Sequence, residues 1–265
     1  MSTTPESTGP ETTGPESTGP GTTGPGSTAP VPCAVVVLAA GSGSRVGATV
    51  AGLPVNKVLL PLAGVPVLVH SVRNALAVPG LRHLVVVARP GEERLVAAAL
   101  TPHLPEDVEV RLVAGGRDRH TSEWAGISAV AAEIEAGEVQ VVAVHDGARP
   151  LAGPGLYVHT VAAAAEHGGA VPVAPARALV TLDGSTPPEV LVGVQTPQAF
   201  RAPALLAAYR AAEVDGFVGT DTASCLAHHD PEVRIAAVPS GATNLKITFA
   251  EDLALAEGLL GRLGG

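Results

Sequence analysis

From Cys33 onward, short runs of β-branched residues alternate with longer Ala- and Leu-rich stretches, and this alternation confines the chain to a small set of folds. CAVVVLAA from Cys33, LVVVA from Leu84, VEVRLV from Val108, VQVVAVHD from Val139 and GAVPVA from Gly169 read as buried strands. Helical spacing over residues 66–77, 92–100, 122–135 and 156–167 separates them. The pattern predicts an α/β domain, a mostly parallel sheet covered by helices on both faces. In such sheets ligands collect at the carboxyl ends of the strands, so the segments that follow each strand are where chemistry is to be sought.

Residues 1–30 repeat a TGPEST-like unit of Thr, Ser, Gly, Pro and Glu, a composition that buries too little apolar surface to offset the entropy of ordering. They are expected to form a disordered tail before a single domain over residues 31–265. Residues 174–194, with prolines and a Leu182-Asp183-Gly184 turn between β-branched flanks, read as a projecting arm. Sixteen basic against twenty-five acidic side chains give a formal charge of -9, the wrong sign for gripping nucleic acid or anionic lipid over a broad surface. One Trp, two Tyr and three Phe leave few stacking platforms for single-stranded nucleic acid. An anionic ligand must therefore be held by a local basic cluster. Cys33 and Cys225 lack metal-ligand spacing and disulfide density, and the chain shows neither a signal-peptide order nor an apolar run of membrane-spanning length. A soluble, cytoplasmic protein with reduced thiols is expected.

LAAGSGSRVG, residues 38–47, follows the first strand and carries glycines at 41, 43 and 47. Such a loop lets backbone amides approach phosphates, and Arg45 can face the same anion. It has neither the dinucleotide GxGxxG spacing nor the Walker ending, and by itself is compatible with a simple turn. Lys57 follows about a dozen residues later, and the two cations together can stabilise charge that develops on an attacked phosphorus. GGRDRHTS, residues 115–122, again lies between a strand and a helix. Its backbone and the Ser122 hydroxyl can read a base edge, or Ser122 can cap the helix. VHDGARP, residues 144–150, ends a strand with Asp146, suited to a divalent metal or ribose hydroxyls, or to an ion pair with Arg149. TNLKIT, residues 243–248, reads as a short strand in which Lys246 is flanked by apolar residues and must reach an anion. The nine histidines show no HExxH or comparable ligand spacing, so the sequence does not indicate zinc.

LAAGSGSRVG, Lys57 with LPLAGVPVL, GGRDRHTS, HDGARP, VQTPQAF, TDTAS and NLKIT followed by EDLALAE resemble, in order and spacing, one family over residues 35–260. It is that of the 2-C-methylerythritol 4-phosphate cytidylyltransferases, with the related ribitol 5-phosphate cytidylyltransferases. The resemblance implies a homodimer of nucleotidyltransferase fold, a bound Mg²⁺, and an arm that reaches the partner's active site. It implies that Arg45 and Lys57 stabilise the transition state and that Lys246 positions the reacting phosphates. By the same resemblance Ala39, Ala40, Gly41, Gly43, Gly116 and Ser122 hold CTP, and Asp146 and Arg149 lie beside the polyol phosphate, with Asp146 the metal ligand. The reaction it implies is in-line attack by a substrate phosphate oxygen on the α-phosphorus of CTP, releasing pyrophosphate.

One segment departs from the family pattern. An Asp-Thr pair early in the arm and an Arg before the QTPQ motif serve the acceptor's phosphate in the family; here Ala178 with Leu179, and Pro188, stand there. Arg177 is the one cation near those positions and a candidate substitute. The altered arm supports ribitol 5-phosphate or another small phosphate or phosphonate as an alternative acceptor. A nucleotide-binding or regulatory protein that has lost turnover is the alternative of a different class, opposed by the retention of Arg45, Lys57, Asp146 and Lys246. A guanylyltransferase of the molybdenum-cofactor type would share the glycine-rich loop but lacks the HDGARP and QTPQ combination.

Overall fold

The computed structural model describes residues 29–41, 49–50, 53–54, 56–176 and 191–263. Among the described residues the five predicted runs and three strands that the sequence reading did not pick out form one sheet: β1 (Cys33–Ala39), β2 (Leu81–Ala88), β3 (Arg111–Ala114), β4 (Val141–Asp146) and β5 (Gly168–Pro175), with the added β6 (Val192–Val194), β7 (Gln198–Arg201) and β8 (Arg234–Pro239). β1 pairs in parallel with β2 on one side and β4 on the other, and β3 extends the sheet beyond β2. β7 runs antiparallel between β4 and β5; β6 pairs antiparallel with the later part of β5, and β8 pairs with β5 in parallel. The sheet is thus mixed but mostly parallel, and the chain leaves β1 toward one edge and reaches β4 on the opposite side. The crevice at the carboxyl ends of β1 and β4 is the switch point where such sheets take ligands.

Alternation along β1 feeds two cores. Val35, Val37 and Ala39 pack with α1 (Val67–Leu76), α2 (Glu93–Leu100) and α5 (Pro154–His167) on one face. Ala34, Val36 and Leu38 pack on the other with α3 (Arg119–Ser128), α4 (Ala131–Glu135), α6 (Ala202–Asp215) and α7 (Thr222–His229). A strand buried on both faces needs apolar residues at every position, which is why CAVVVLA shows no polar alternation. A smaller cluster joins Leu62, Val67, Leu151 and Ile247 to α8 (Glu251–Leu263).

Several boundaries differ from the sequence reading. The helix expected over 122–135 begins at Arg119, because Asp118 accepts the Thr121 amide at 2.8 Å and Thr121 returns its side chain to the Asp118 amide, a capping box. It is also two helices: the backbone leaves helical geometry at Val130, and Arg111 spans the break by donating to the Ala129 carbonyl and to Glu133. The third strand starts at Arg111 instead of Val108, whose amide closes a turn on Pro105. TNLKIT is not a strand; its residues run irregularly beside the β4 end, joined to it by one backbone bond from Ile247 to Ala148. On either side of the segment expected as an arm, β5 and β6 pair antiparallel, and Leu191, Val192 and Val194 there are about half exposed. Its middle, with Arg177, Ala178, Leu179 and Pro188, lies outside the described residues, as does the tail through residue 28. Cys33 and Cys225 are free, buried thiols, pushed up by desolvation to about 11 and about 12. No described helix is long and apolar enough to cross a membrane.

Two contacts fix the ends of the strands that frame the crevice. α3 lies so close to the sheet that a Cβ on Gly126 would stand 2.3 Å from Val36 Cγ1 and 2.9 Å from Val87 Cγ2. At the end of β4 the fully buried His145 lies 3.2 Å from the Arg149 carbonyl through Nε2 and 3.2 Å from the Thr196 hydroxyl through Nδ1. A carbonyl can only accept, so Nε2 carries the proton and Nδ1 accepts from Thr196, whose oxygen in turn receives the Asp146 amide at 3.0 Å. Desolvation holds this ring neutral down to a pKa of about 4.

Gly126→Ala should lower stability measured by urea unfolding: overpacking against two core valines costs about 1–3 kcal/mol, and better helix propensity returns at most about 1 kcal/mol. His145 should make stability pH-dependent. Unfolded, it titrates near 6.5, and folded near 4, so the unfolded chain binds more protons between these values and stability falls as pH drops through that window. The full shift corresponds to a loss of about 3 kcal/mol. In His145→Gln, unfolding curves collected between these pH values should lack most of that slope.

Candidate active site

The residues at the carboxyl ends of β1, β2 and β4 enclose a cleft of about 490 Å³. Ala40 and Gly41 line it from the β1 end, Gly116 and Ser122 from the turn after β3, Asp146 from β4, and Lys57 and Lys246 from two loops. Ala39, the last residue of β1, lies just behind and is fully buried. Gly43 and Arg45 lie outside the described residues. Among the described residues the lining carries five cations, Lys57, Arg89, Arg117, Arg119 and Lys246, against two carboxylates, Asp118 and Asp146. A protein of formal charge -9 therefore concentrates positive charge in this cleft, the local basic cluster that an anionic ligand requires.

Asp146 is the electrostatic centre. Its Oδ2 lies 2.5 Å from Lys246 Nζ and 3.9 Å from Arg119 Nη1, and its Oδ1 accepts the Ala148 amide at 3.0 Å. Burial alone would raise its carboxyl, but Lys246, the Ala148 amide and Arg119 outweigh that and hold it well below the usual carboxylate range. Lys246 reaches the anion that its apolar flanks demanded, from an irregular segment instead of a strand. The expected alternative of an Asp146–Arg149 ion pair does not form. Arg149 donates through Nη1 to the Asn244 carbonyl at 2.6 Å and does not line the cleft. It braces the segment that carries Lys246, as does Asn244, whose amide donates to Gln195 and to the Thr196 carbonyl.

Lys57 is buried, and its Nζ donates to the Ile247 carbonyl at 2.7 Å, so both lysines are tied to the same segment. The turn that presents Lys57 is capped by Asn56, whose Oδ1 accepts the Val58 amide and whose Nδ2 donates to the Ala39 carbonyl at 2.7 Å. Asn56 also donates to Glu92, which accepts from Arg89, and Arg89 donates to the Gly41 carbonyl at 2.8 Å. This chain anchors the start of the glycine-rich loop to the end of β2.

Ser122 does not cap its helix, since Asp118 occupies that position. The Ser122 hydroxyl lies in the helix's second turn, donates to the Asp118 carbonyl at 2.7 Å and accepts the Gly116 amide at 3.1 Å, closing the turn over the cleft. At Gly116 a Cβ would fall 2.2 Å from Thr121 Oγ1, so the turn tolerates no side chain there.

Three residues in or directly behind the candidate site, Arg89, Arg119 and Glu123, escaped the sequence reading. Arg119 was quoted within GGRDRHTS without a role; its Nε donates to Glu123 at 2.8 Å while Nη1 faces Asp146. Glu123 is fully buried and accepts from the Tyr209 hydroxyl at 2.6 Å. Burial raises its carboxyl, opposed by Arg119 and Tyr209. The i,i+4 spacing of Arg119 and Glu123 was the available signal. Arg89 was detectable by its place directly after a strand, the rule already applied to the other loops. Gln198 and Asp221, from QTPQ and TDTAS, bond to each other at 2.9 Å, and Gln198 also accepts the Ala223 amide. These two motifs are thus structural braces behind the cleft.

Residues 33–262 match the family model described as IspD: 2-C-methyl-D-erythritol 4-phosphate cytidylyltransferase. A protein of that name from Symbiobacterium thermophilum is 40% identical over 237 residues, which is 87% of this chain and 93% of that protein. Another, from Acidobacterium capsulatum, is 37% identical over 232 residues, 84% and 94% of the two chains. Among solved structures, the 2-C-methyl-D-erythritol 4-phosphate cytidylyltransferase from Thermus thermophilus superposes with a TM-score of 0.64 at 26% identity, covering 84% of this chain and 97% of that one. The 4-diphosphocytidyl-2C-methyl-D-erythritol synthase from Anaerococcus prevotii shares the fold with a TM-score of 0.72 at 22% identity, covering 87% and 96%. With the match spanning almost every described residue and both flanks of the basic cleft, the chain belongs to the family of 2-C-methyl-D-erythritol 4-phosphate cytidylyltransferases.

Proposed function

We propose that the chain transfers CMP from CTP to 2-C-methyl-D-erythritol 4-phosphate and releases pyrophosphate, a step in isoprenoid precursor synthesis. The observation that carries this reading is the cleft at the β1–β4 switch point, lined by five described cations, two of which, Lys246 and Arg119, face Asp146, in a chain of that family. An oxygen of the acceptor's phosphate attacks the α-phosphorus of CTP; the new P–O bond forms as the bond to the β-phosphate breaks, and the electron pair leaves on pyrophosphate. Lys57 and Lys246, fixed through one segment, meet the charge that develops at the phosphorus and on the leaving group, and Arg45 is assigned the same task. Arg119, held by Glu123, faces the phosphates from the other wall. Ala39, Ala40, Gly41, Gly43 and the Gly116–Ser122 turn enclose the nucleotide.

Asp146 is the residue that would hold Mg²⁺. One carboxylate, with the remaining positions left to phosphate oxygens and water, suits that ion, and Asp146 is ionised and directed into the cleft. Bound there, the ion would neutralise charge on the phosphates. Lys246 pairs with Asp146 Oδ2, and its flexible side chain can also reach toward phosphates in the same cleft. The half-exposed Leu191, Val192 and Val194 beside the expected arm support assembly as a homodimer.

A second reading is favoured by the arm, where Ala178, Leu179 and Pro188 replace the acceptor-phosphate ligands of the family pattern. It keeps the CTP chemistry and assigns ribitol 5-phosphate or another small phosphate as acceptor. Pyrophosphate release with CTP and Mg²⁺ separates the readings: turnover is expected with 2-C-methyl-D-erythritol 4-phosphate, and activity with ribitol 5-phosphate alone would favour the second. With the active acceptor, Lys246→Ala should lower kcat by about 100-fold or more, the usual loss when one charge-stabilising donor is removed. Arg119→Ala should lower kcat/KM for CTP by about 10- to 100-fold, the worth of a charge-assisted hydrogen bond. No pyrophosphate release with any small phosphate acceptor would overturn the enzymatic reading.

A further inference from the structure

On the side of α7 away from the cleft, His228 and His229 occupy its last turn, and Asp215 ends α6 beside them. One donor atom from each residue lies within 4.8 Å of the others. The protons on these groups follow from their partners. His229 Nδ1 is 3.0 Å from the Cys225 carbonyl, which can only accept, so Nδ1 carries hydrogen and the ring turns Nε2 outward. Nε2 then stands 3.0 Å from Asp215 Oδ2. The other carboxylate oxygen, Oδ1, accepts the Phe217 amide at 2.9 Å, which fixes the plane of the group. The Phe217 ring lies flat against His228 with centroids 3.9 Å apart and planes 8° apart, and the two imidazoles meet edge to face.

His229 is thus held from behind by a carbonyl, Asp215 by an amide and His228 by a ring, with one donor atom of each within 4.8 Å of the others. Such outer contacts are how proteins aim metal ligands. In a neutral ring, Nε2 and Oδ2 would oppose two lone pairs at 3.0 Å, so a cation belongs at this spot. A proton satisfies that pair, but it gives no function to a third donor poised beside it. The C-terminal end of α7 also favours positive charge.

We propose that His228, His229 and Asp215 form a site for a divalent transition-metal ion of the Zn²⁺ kind, with three protein ligands and one position open to water. Two imidazoles and one carboxylate suit zinc, whereas Mg²⁺ prefers oxygen alone. Donors on one tetrahedral ion at about 2.0–2.1 Å sit about 3.3 Å apart, so a small turn of the exposed His228 ring completes the set. The ion fastens the end of α6 to the end of α7 and thereby closes the loop 216–221, whose last residue, Asp221, holds Gln198 behind the cleft. The site is separate from the cleft and stands whatever the cleft's chemistry.

The test uses the full chain stripped of metal by a chelator. Zn²⁺ is titrated against a chromophoric zinc chelator, and Co²⁺ is titrated while its visible absorption is followed. One equivalent of each is expected, with the intense absorption of tetrahedral Co²⁺, and Zn²⁺ but not Mg²⁺ should raise the thermal midpoint. His228→Ala and His229→Ala should each weaken binding by at least about tenfold, and the exposed His159→Ala should leave it unchanged. His228→Ala retains the His229–Asp215 contact and a folded core, so it distinguishes a metal site from a simple ion pair. Absence of Zn²⁺ binding by the parent chain, or equal binding by His228→Ala, would overturn the proposal.

Discussion

The ion pair between Asp146 and Lys246 is the contact on which the cleft depends. It joins the end of a central strand to a segment near the carboxyl terminus that has almost no regular structure of its own. Both groups are largely removed from water, where a charge left alone is costly. The segment is held at three further points: Arg149 to the Asn244 carbonyl, Lys57 to the Ile247 carbonyl, and the Ile247 amide to Ala148. The first brings Arg149 within electrostatic reach of the same carboxylate, and the second fixes Lys57 in the lining of the same cleft. The geometry that stabilises the loop is thus also the geometry that gathers charge for phosphates.

The second dependence runs through α3. Its N-terminal residue, Arg119, faces Asp146, while Gly126, about two turns on, lies directly against Val36 and Val87. Between them Glu123 is fully buried and shared by Arg119 and Tyr209 of α6. One short helix therefore reports the packing of the sheet to the wall of the cleft. The close approach needs a residue without a side chain at 126, and the same closeness leaves Arg119 little freedom.

Much of this was legible in the sequence, for physical reasons that can be named. A strand such as CAVVVLA, apolar at every position, has to be buried on both faces, and that pointed to a helix-covered sheet and to its strand ends, while the order of the strands came only with the structure. Asp146 at a strand end and Lys246 between apolar residues were identifiable because an unpaired charge in either place is expensive. Which partner each would take was not written locally, since the two lie a hundred residues apart. TNLKIT alternates like a strand yet has no neighbouring strand to pair with, so pattern alone misassigned it. Asp118 won the cap from Ser122 because its carboxylate, with Thr121, forms the reciprocal box, and a hydroxyl four residues later cannot compete. Arg89 and Arg119 resemble solvated surface arginines in sequence; a place after a strand and an i,i+4 carboxylate marked them, but neither signal says that they turn toward the cleft. Arg45, Gly43 and the middle of the arm lie outside the described residues.

The contrast between a chain of formal charge -9 and a cleft with five cations has a consequence for how a nucleotide arrives. At long range, a triphosphate meets an acidic body and is repelled; within a few ångströms of the strand ends it meets the opposite field. Screening at physiological ionic strength extends over about 8 Å, which silences the distant repulsion and leaves the enclosed attraction largely intact. Salt acts on the two fields unequally, so moderate ionic strength opens the approach to the site instead of merely weakening the grip.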